Sequence, residues 1–314
     1  PSAIIKYRWG STPEEMKVAG AAEFIKCALG ENVKRSNWGN DGRLRFPQSR
    51  MGVEQVFVDY FTRAEQYQKD PNARPDLELD AVSEILNQQR FITCHSYVQS
   101  EITMLMRVAE QFDFNVNTFT HILEGYKVAD KMKEHGVHAS TFSDWWMYKF
   151  EVNDAIPHNA SILSEMGVTT AINSDDAEMA RRLNTEAAKS VKYGGMTEEA
   201  AWKMVTLNPA IILKLDDKLG SVEAGKDADV VLWSDMPLSV YAVAELTFVD
   251  GIRYWDIDAD KLLREEVLAE RNRLIQKMLV EKHGGSPTQT VKIKPDEHFH
   301  CDDEDDWGNV EERF

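Results

Sequence analysis

The feature that most constrains this chain is an alternation: short β-rich apolar runs are each followed by a segment of helix length, from the first residues to about residue 215. This is the rhythm of a parallel α/β sheet, because parallel neighbours cannot be joined by a tight turn and need a crossover, usually helical. Strands are predicted over 3–7, 23–29, 90–95, 115–121, 137–142 and 168–174. Between the last four lie predicted helices: Val98 to Phe112, with apolar Ile102, Leu105, Met106 and Ala109, then Gly125 to His135, then Val152 to Met166. Residues 30–76 interrupt the alternation with a Gly, Asn, Arg and Trp-rich loop (Gly30 to Met51) and a helix around Val53 to Tyr67. Two more helices are expected at 177–193 and 197–213.

After the turn at Asp216-Asp217-Lys218 the character changes to β: Leu219 to Glu223, Ala228 to Trp233 and Ala244 to Val249, the last closed by Asp250-Gly251. Residues 258–281 read as an amphipathic helix, and the tail from Pro295 carries nine acids against one Arg. The expected organisation is a β/α unit over 1–215, a small sheet over 216–257, a helix over 258–285 and an acidic, disordered tail over 286–314. The tail cluster His298, His300, Cys301 and Asp302 has metal-binding residue types, and a solvated tail is the stronger reading of it.

Charge narrows the partners. Lys plus Arg number 36 against 53 Asp plus Glu, a net charge of −17, so the field repels nucleic acid phosphate and anionic lipid. No stretch approaches the roughly 18 uncharged apolar residues of a membrane span. Three cysteines, Cys27, Cys94 and Cys301, are too few and scattered for a disulfide framework. A cytoplasmic setting is the default. Export stays open, because the chain opens at Pro1 with a strand in place of a signal peptide, and a missing upstream segment is expected.

Three predicted strands end in a residue that can hold a metal: Thr93-Cys94-His95, Phe119-Thr120-His121 and Ile172-Asn173-Ser174-Asp175. In a β/α barrel the carboxyl ends of the strands converge on one mouth, where the active site is built. Two imidazoles and a carboxylate suit Zn, Mn or Fe, and few protein ligands leave positions for water and substrate.

On these residues, and on Thr206-Leu207-Asn208-Pro209-Ala210 followed by Leu219-Gly220-Ser221-Val222-Glu223-Ala224-Gly225-Lys226-Asp227-Ala228-Asp229, the sequence resembles the amidohydrolase superfamily, in particular its imidazolonepropionase-like and metal-dependent dipeptidase branch. The resemblance implies a TIM (β/α)8-type barrel, about six of its eight strands present here, with part of a small β-sandwich. It implies Lys26 as a carboxylated bridging ligand, His95 and His121 as metal ligands, and Asp175 as both ligand and catalytic acid-base. The implied cofactor is a divalent metal, Zn: two ions per complete site, one or none here. The implied reaction is hydrolysis of an amide, cyclic amide or dipeptide-like C–N bond by a metal-activated water, with Asp175 taking the water's proton and passing it to the leaving nitrogen.

The family's HxH pair after the first strand has no counterpart, so the first two barrel strands are expected to be absent and the chain alone inactive or poorly folded. Lys34 and Lys6 compete with Lys26 for the bridging role. A one-metal deaminase and a catalytically silent scaffold remain the rival functions. Trp145, Trp146 and Tyr148 are expected to overhang the mouth and line a substrate pocket, with packing against a neighbouring loop as the alternative. Arg181 is a candidate for a substrate carboxylate, or for a solvent-facing ion pair. A small-molecule amide or peptide-like substrate is the expected partner, and a homo-oligomer is possible.

Overall fold

Five parallel strands stand side by side in sequence order: β1 (Glu23–Ala28), β2 (Arg90–His95), β3 (Thr118–Thr120), β4 (His138–Thr141) and β5 (Thr170–Ile172). They are seen in a computed structural model that describes residues 2–34, 46–145 and 149–289. In-register pairing aligns Ala28 with His95, His95 with Thr120, Thr120 with Ser140, and Thr141 with Ile172, so the carboxyl ends form one rim. The result is an α/β fold with a partial, barrel-like parallel sheet of five strands where a closed barrel has eight.

Alternation along the strands divides the residues between two faces. Ile25 and Cys27, Ile92 and Cys94, Phe119 and Ala139 point to the helices and share one hydrophobic core with Ile102, Leu105 and Ala109 of the Gln99–Gln111 helix. A fully buried Ile, Leu or Phe stabilises such a core by roughly 1.5–3 kcal/mol. The opposite, inner face is polar: Lys26, Thr93, His95, Thr118, Thr120, Ser140 and Asn173 follow one another across the strands. Asn173 Nδ2 donates to Ser140 Oγ at 2.6 Å on that face.

Residues 3–7 are not a strand of this sheet. Ser2 and Ile5 form isolated antiparallel bridges to Phe24 and Lys17, and backbone bonds join Lys6 N to Met16 O and Val18 N to Ile4 O. A parallel crossover usually carries a substantial helix, whereas Pro13–Met16 is a single turn. The segment therefore folds back on its own continuation, which leaves β1 as the sheet edge.

The second sheet is antiparallel, β6 (Val230–Trp233), β7 (Ala244–Val249) and β8 (Ile252–Asp256). Asp250 and Gly251, at φ 51° and 76°, make the tight turn between β7 and β8. β8 was not among the expected strands, although the Asp-Gly pair was the signal for it. Leu219 to Glu223, expected as a strand, is turn and loop. There Gly220 has φ 89°, and a Cβ on it would lie 2.8 Å from Ala210 Cβ and 2.9 Å from Leu207 Cα, so the loop is pressed onto the Leu207–Ile212 helix. Asn208 of that helix donates to Thr170 O at 2.7 Å and ties it to β5. A helix from Ile257 to His283 follows the sheet, and no described helix is long and apolar enough to cross a membrane.

Candidate active site

His95 is the last residue of β2 and His121 directly follows β3, so the register alone brings them to the same stretch of rim. Their ring centroids are 5.1 Å apart, tilted by 59°. His121 sits at φ 63°, a left-handed conformation that costs a non-glycine residue free energy and that clusters at functional sites. Asp175, three residues beyond β5, brings Oδ2 to 3.7 Å from His121 Nε2.

Burial decides the protonation of the pair. Desolvation, with the charges of His121, Lys149 and Lys26 adding to it, pushes the pKa of His95 down to about 2. Desolvation also lowers His121, to about 4, against an opposing pull from Asp175. Both imidazoles are thus neutral at physiological pH, the state in which histidine can bind a metal. His121 Nδ1 is buried without a hydrogen-bond partner.

The pair is walled by aromatic rings. Tyr97 meets His95 edge-on at 4.7 Å, Phe142 stacks on His121 at 4.9 Å, and Trp145 stacks on Phe142 at 4.6 Å. Lys149 Nζ lies 4.2 Å from the centroid of Tyr97. The loop that carries Phe142 and Trp145 is held from behind: Ser143 Oγ donates to Glu186 at 2.5 Å, and Lys189 bridges Asp144 at 2.7 Å and Glu186 at 2.9 Å. Sequence reasoning missed Tyr97, Phe142, Lys149 and Glu186. Tyr97 and Phe142 lie within two residues of a strand end, and that proximity was the available signal.

The other candidates are scattered. Lys26 is on the inner face of β1, in register with Thr93, and its charge reaches both imidazoles, but its side chain is exposed because β1 is an edge. Lys34 is buried and paired with Glu31. Lys6 is elsewhere altogether, its ammonium 2.6 Å from Asp227, 3.0 Å from Asp229 and 2.6 Å from Asp250. Arg181 is exposed, pairs with Glu178, and borders a cleft of about 760 Å³ between the helices of residues 183–212 and the small sheet. Trp146 and Tyr148 fall outside the described residues, as do His298, His300, Cys301 and Asp302 of the tail.

Neutral imidazoles and a carboxylate are donor types that suit a divalent cation, but His95, His121 and Asp175 do not bring three ligand atoms within 4.8 Å of one another. Asp227, Asp229 and Asp250 are the one group of three ligand-type side chains among the described residues whose ligand atoms all lie within 4.8 Å of one another. They could hold a divalent ion by charge and spacing, and the Lys6 ammonium already bonds all three.

The amidohydrolase family model matches residues 56–252, more than half of the chain and every strand from β2 to β7. The chain belongs to the amidohydrolase family. It is 28% identical over 274 residues to the amidohydrolase tasK of Hapsidospora irregularis, a match that covers 80% of this chain and 27% of that protein. The imidazolonepropionase of Thermoplasma volcanium is 36% identical over 85 residues, 26% of this chain and 21% of that protein. The chain therefore spans about a quarter of the length of these curated relatives. Among solved structures, an amidohydrolase from Thermotoga maritima MSB8 superposes with a TM-score of 0.73 at 30% identity, covering 81% of this chain and 67% of that one.

Proposed function

We propose that this chain carries the catalytic half-site of a metal-dependent hydrolase that cleaves a C–N bond in a small amide, cyclic amide or dipeptide-like substrate. The observation that carries the reading is the juxtaposition of His95, His121 and Asp175 on one rim, with both imidazoles held neutral by burial. His95 and His121 would hold the ion, with Asp175 beside them and Lys26 as the candidate bridge. A divalent ion bound there supplies a Lewis acid and lowers the pKa of water toward 7.

The protein's own groups supply the rest. The Asp175 carboxylate, exposed enough to meet solvent, takes the proton of the attacking water at Oδ and returns it to the departing nitrogen. Phe142 and Trp145 shield the rear of His121 from water, which keeps it neutral and fixes its ring plane. The Glu186 and Lys189 bonds hold that aromatic wall in place. The likeness to an imidazolonepropionase over a quarter of the chain supports the cyclic-amide end of the substrate range. Residues 1–215 would form the catalytic unit and 216–257 a structural attachment to it.

Purified protein, reconstituted with Zn and freed of excess ion, should retain metal through the half-site, and any turnover in a panel of N-acyl amino acids, dipeptides and cyclic amides should depend on that metal. Stoichiometric metal with ammonia release from amino-heterocycles in place of amide cleavage would favour a deaminase. Absence of both metal retention and turnover would leave a scaffold.

A further inference from the structure

Lys149 is not one of the ligand-type residues of the rim, yet the fold sets its charge beside them. Its Nζ lies 4.2 Å from the centroid of Tyr97, whose ring meets His95 edge-on at 4.7 Å, so one aromatic ring stands between the ammonium and the first imidazole. The side chain is 18% exposed and so keeps contact with solvent at the mouth. Glu151 steers it. That carboxylate is buried, and its two oxygens are divided: Oε1 accepts from the backbone N–H of Glu31 at 3.2 Å and from Arg50 Nη2 at 3.3 Å, while Oε2 lies 4.0 Å from Lys149 Nζ. Gly30 permits the approach, since a Cβ there would lie 2.7 Å from Glu151 Oε1. Arg50 is anchored in turn by an ion pair to the buried Glu101. At 4.0 Å the pull of Glu151 on the ammonium is one of charge, beyond hydrogen-bond length.

The charges at the rim say what kind of ligand suits it. Desolvation aside, the charged side chains that the two imidazoles feel are Lys149 and Lys26, with Asp175 opposing them at His121. A divalent ion on His95 and His121 would add two more positive charges. Lys26 changes sign if it is carboxylated to bridge, whereas Lys149 has no such role and stays beside the ion as a cation. Two like charges held close in a partly desolvated place repel one another, and an anion between them reverses the sign of that interaction. A carboxylate on the substrate, close to the scissile bond, is such an anion, and an ammonium is a strong hydrogen-bond donor to it. A neutral amide would leave Lys149 facing the ion uncompensated.

We propose that Lys149 is the specificity-determining residue of the rim, binding a carboxylate that the substrate carries on the carbon next to the scissile amide nitrogen. The substrates are then N-acyl amino acids or cyclic amides of the same pattern, and uncharged amides are excluded. The assignment rests on the reading of His95 and His121 as a hydrolytic metal half-site.

The full chain, reconstituted with Zn, would be titrated calorimetrically with N-acetyl-leucine, N-acetyl-phenylalanine and pyroglutamate, each against its own primary amide. At least one acid should bind about tenfold more tightly than the matching amide. Lys149→Gln should bring that acid down to the affinity of its amide, and Lys149→Arg should keep the preference. Metal content, measured on the same samples, separates two kinds of failure. With metal retained, a preference that survives Lys149→Gln, acids bound no better than amides, no binding of either, or a loss that Lys149→Arg does not rescue would each overturn this proposal and leave the half-site standing. A parent chain that retains no metal would overturn the half-site, and this proposal with it.

Discussion

Two polar clusters in this molecule look alike in a list of residue types and are opposites in physics. At the rim of the parallel sheet, His95 and His121 are buried and uncharged, and His121 Nδ1 has no hydrogen-bond partner. At one end of the small sheet, Asp227, Asp229 and Asp250 crowd together, and the buried Lys6 ammonium bonds all three. The second cluster is closed: its cation is part of the chain. The first has donor capacity to spare. What separates the two is whether the group's hydrogen-bonding and charge are already satisfied within the protein.

The sharpest way to break this contrast is at the histidines. His95→Ala combined with His121→Ala should abolish metal retention and bring turnover to background while the melting transition persists, since rim residues add little to the helix-side core. Metal stoichiometry by mass spectrometry decides it: full occupancy in the double variant would move the site elsewhere. Asp175→Asn keeps the side chain's size but removes the proton acceptor, so kcat should fall on the order of 10²-fold or more. Near-parental turnover of any substrate found for the parent would take the acid-base role from Asp175.

Lys6→Met tests the closed cluster. It leaves three carboxylates facing one another without their cation, and a loss of about 2 kcal/mol in unfolding free energy is expected from denaturant melts. Rim metal retention should not change. An unaltered denaturation midpoint would show that the clamp contributes nothing to the fold.

The smallest effect is on pH. The hydrogen bond from Lys6, aided by Arg8, holds the Asp250 carboxyl below its ordinary range. A carboxylate with a lowered folded-state pKa adds stability that is present above the unfolded value, about 4, and is lost as pH falls through the folded one. Denaturant midpoints followed downward from about pH 5 should therefore fall more steeply in the parent than in Lys6→Met, and parallel slopes would remove the linkage.

Lys6 also shows how far the sequence could be read. Ala3-Ile4-Ile5-Lys6 has the composition of a barrel strand, yet the segment folds back antiparallel across the single turn Pro13–Met16, and its lysine is drawn to carboxylates more than two hundred residues away. No local pattern encodes that attraction. The reverse holds for β2 and β3, whose apolar alternation and terminal histidines were legible, since period-two burial and strand-end chemistry are written locally. The terminal helix was legible as a helix, with apolar residues at helical spacing, but spacing does not say whether a face is covered, and here it stands exposed. β8 was marked by Asp250-Gly251 and still passed over, because a strand of five residues beside a long helical pattern offers little periodicity of its own.

By itself, then, the sequence determined which residues could do chemistry and in what order they meet the rim, because in-register parallel strands carry chain order directly into spatial order. Only the tertiary structure decided which of those residues are uncharged, which are already satisfied and which are walled from water. Desolvation, ion pairing and ring stacking depend on distances between segments far apart in the chain, as when Phe142 covers His121 or three distant aspartates enclose Lys6.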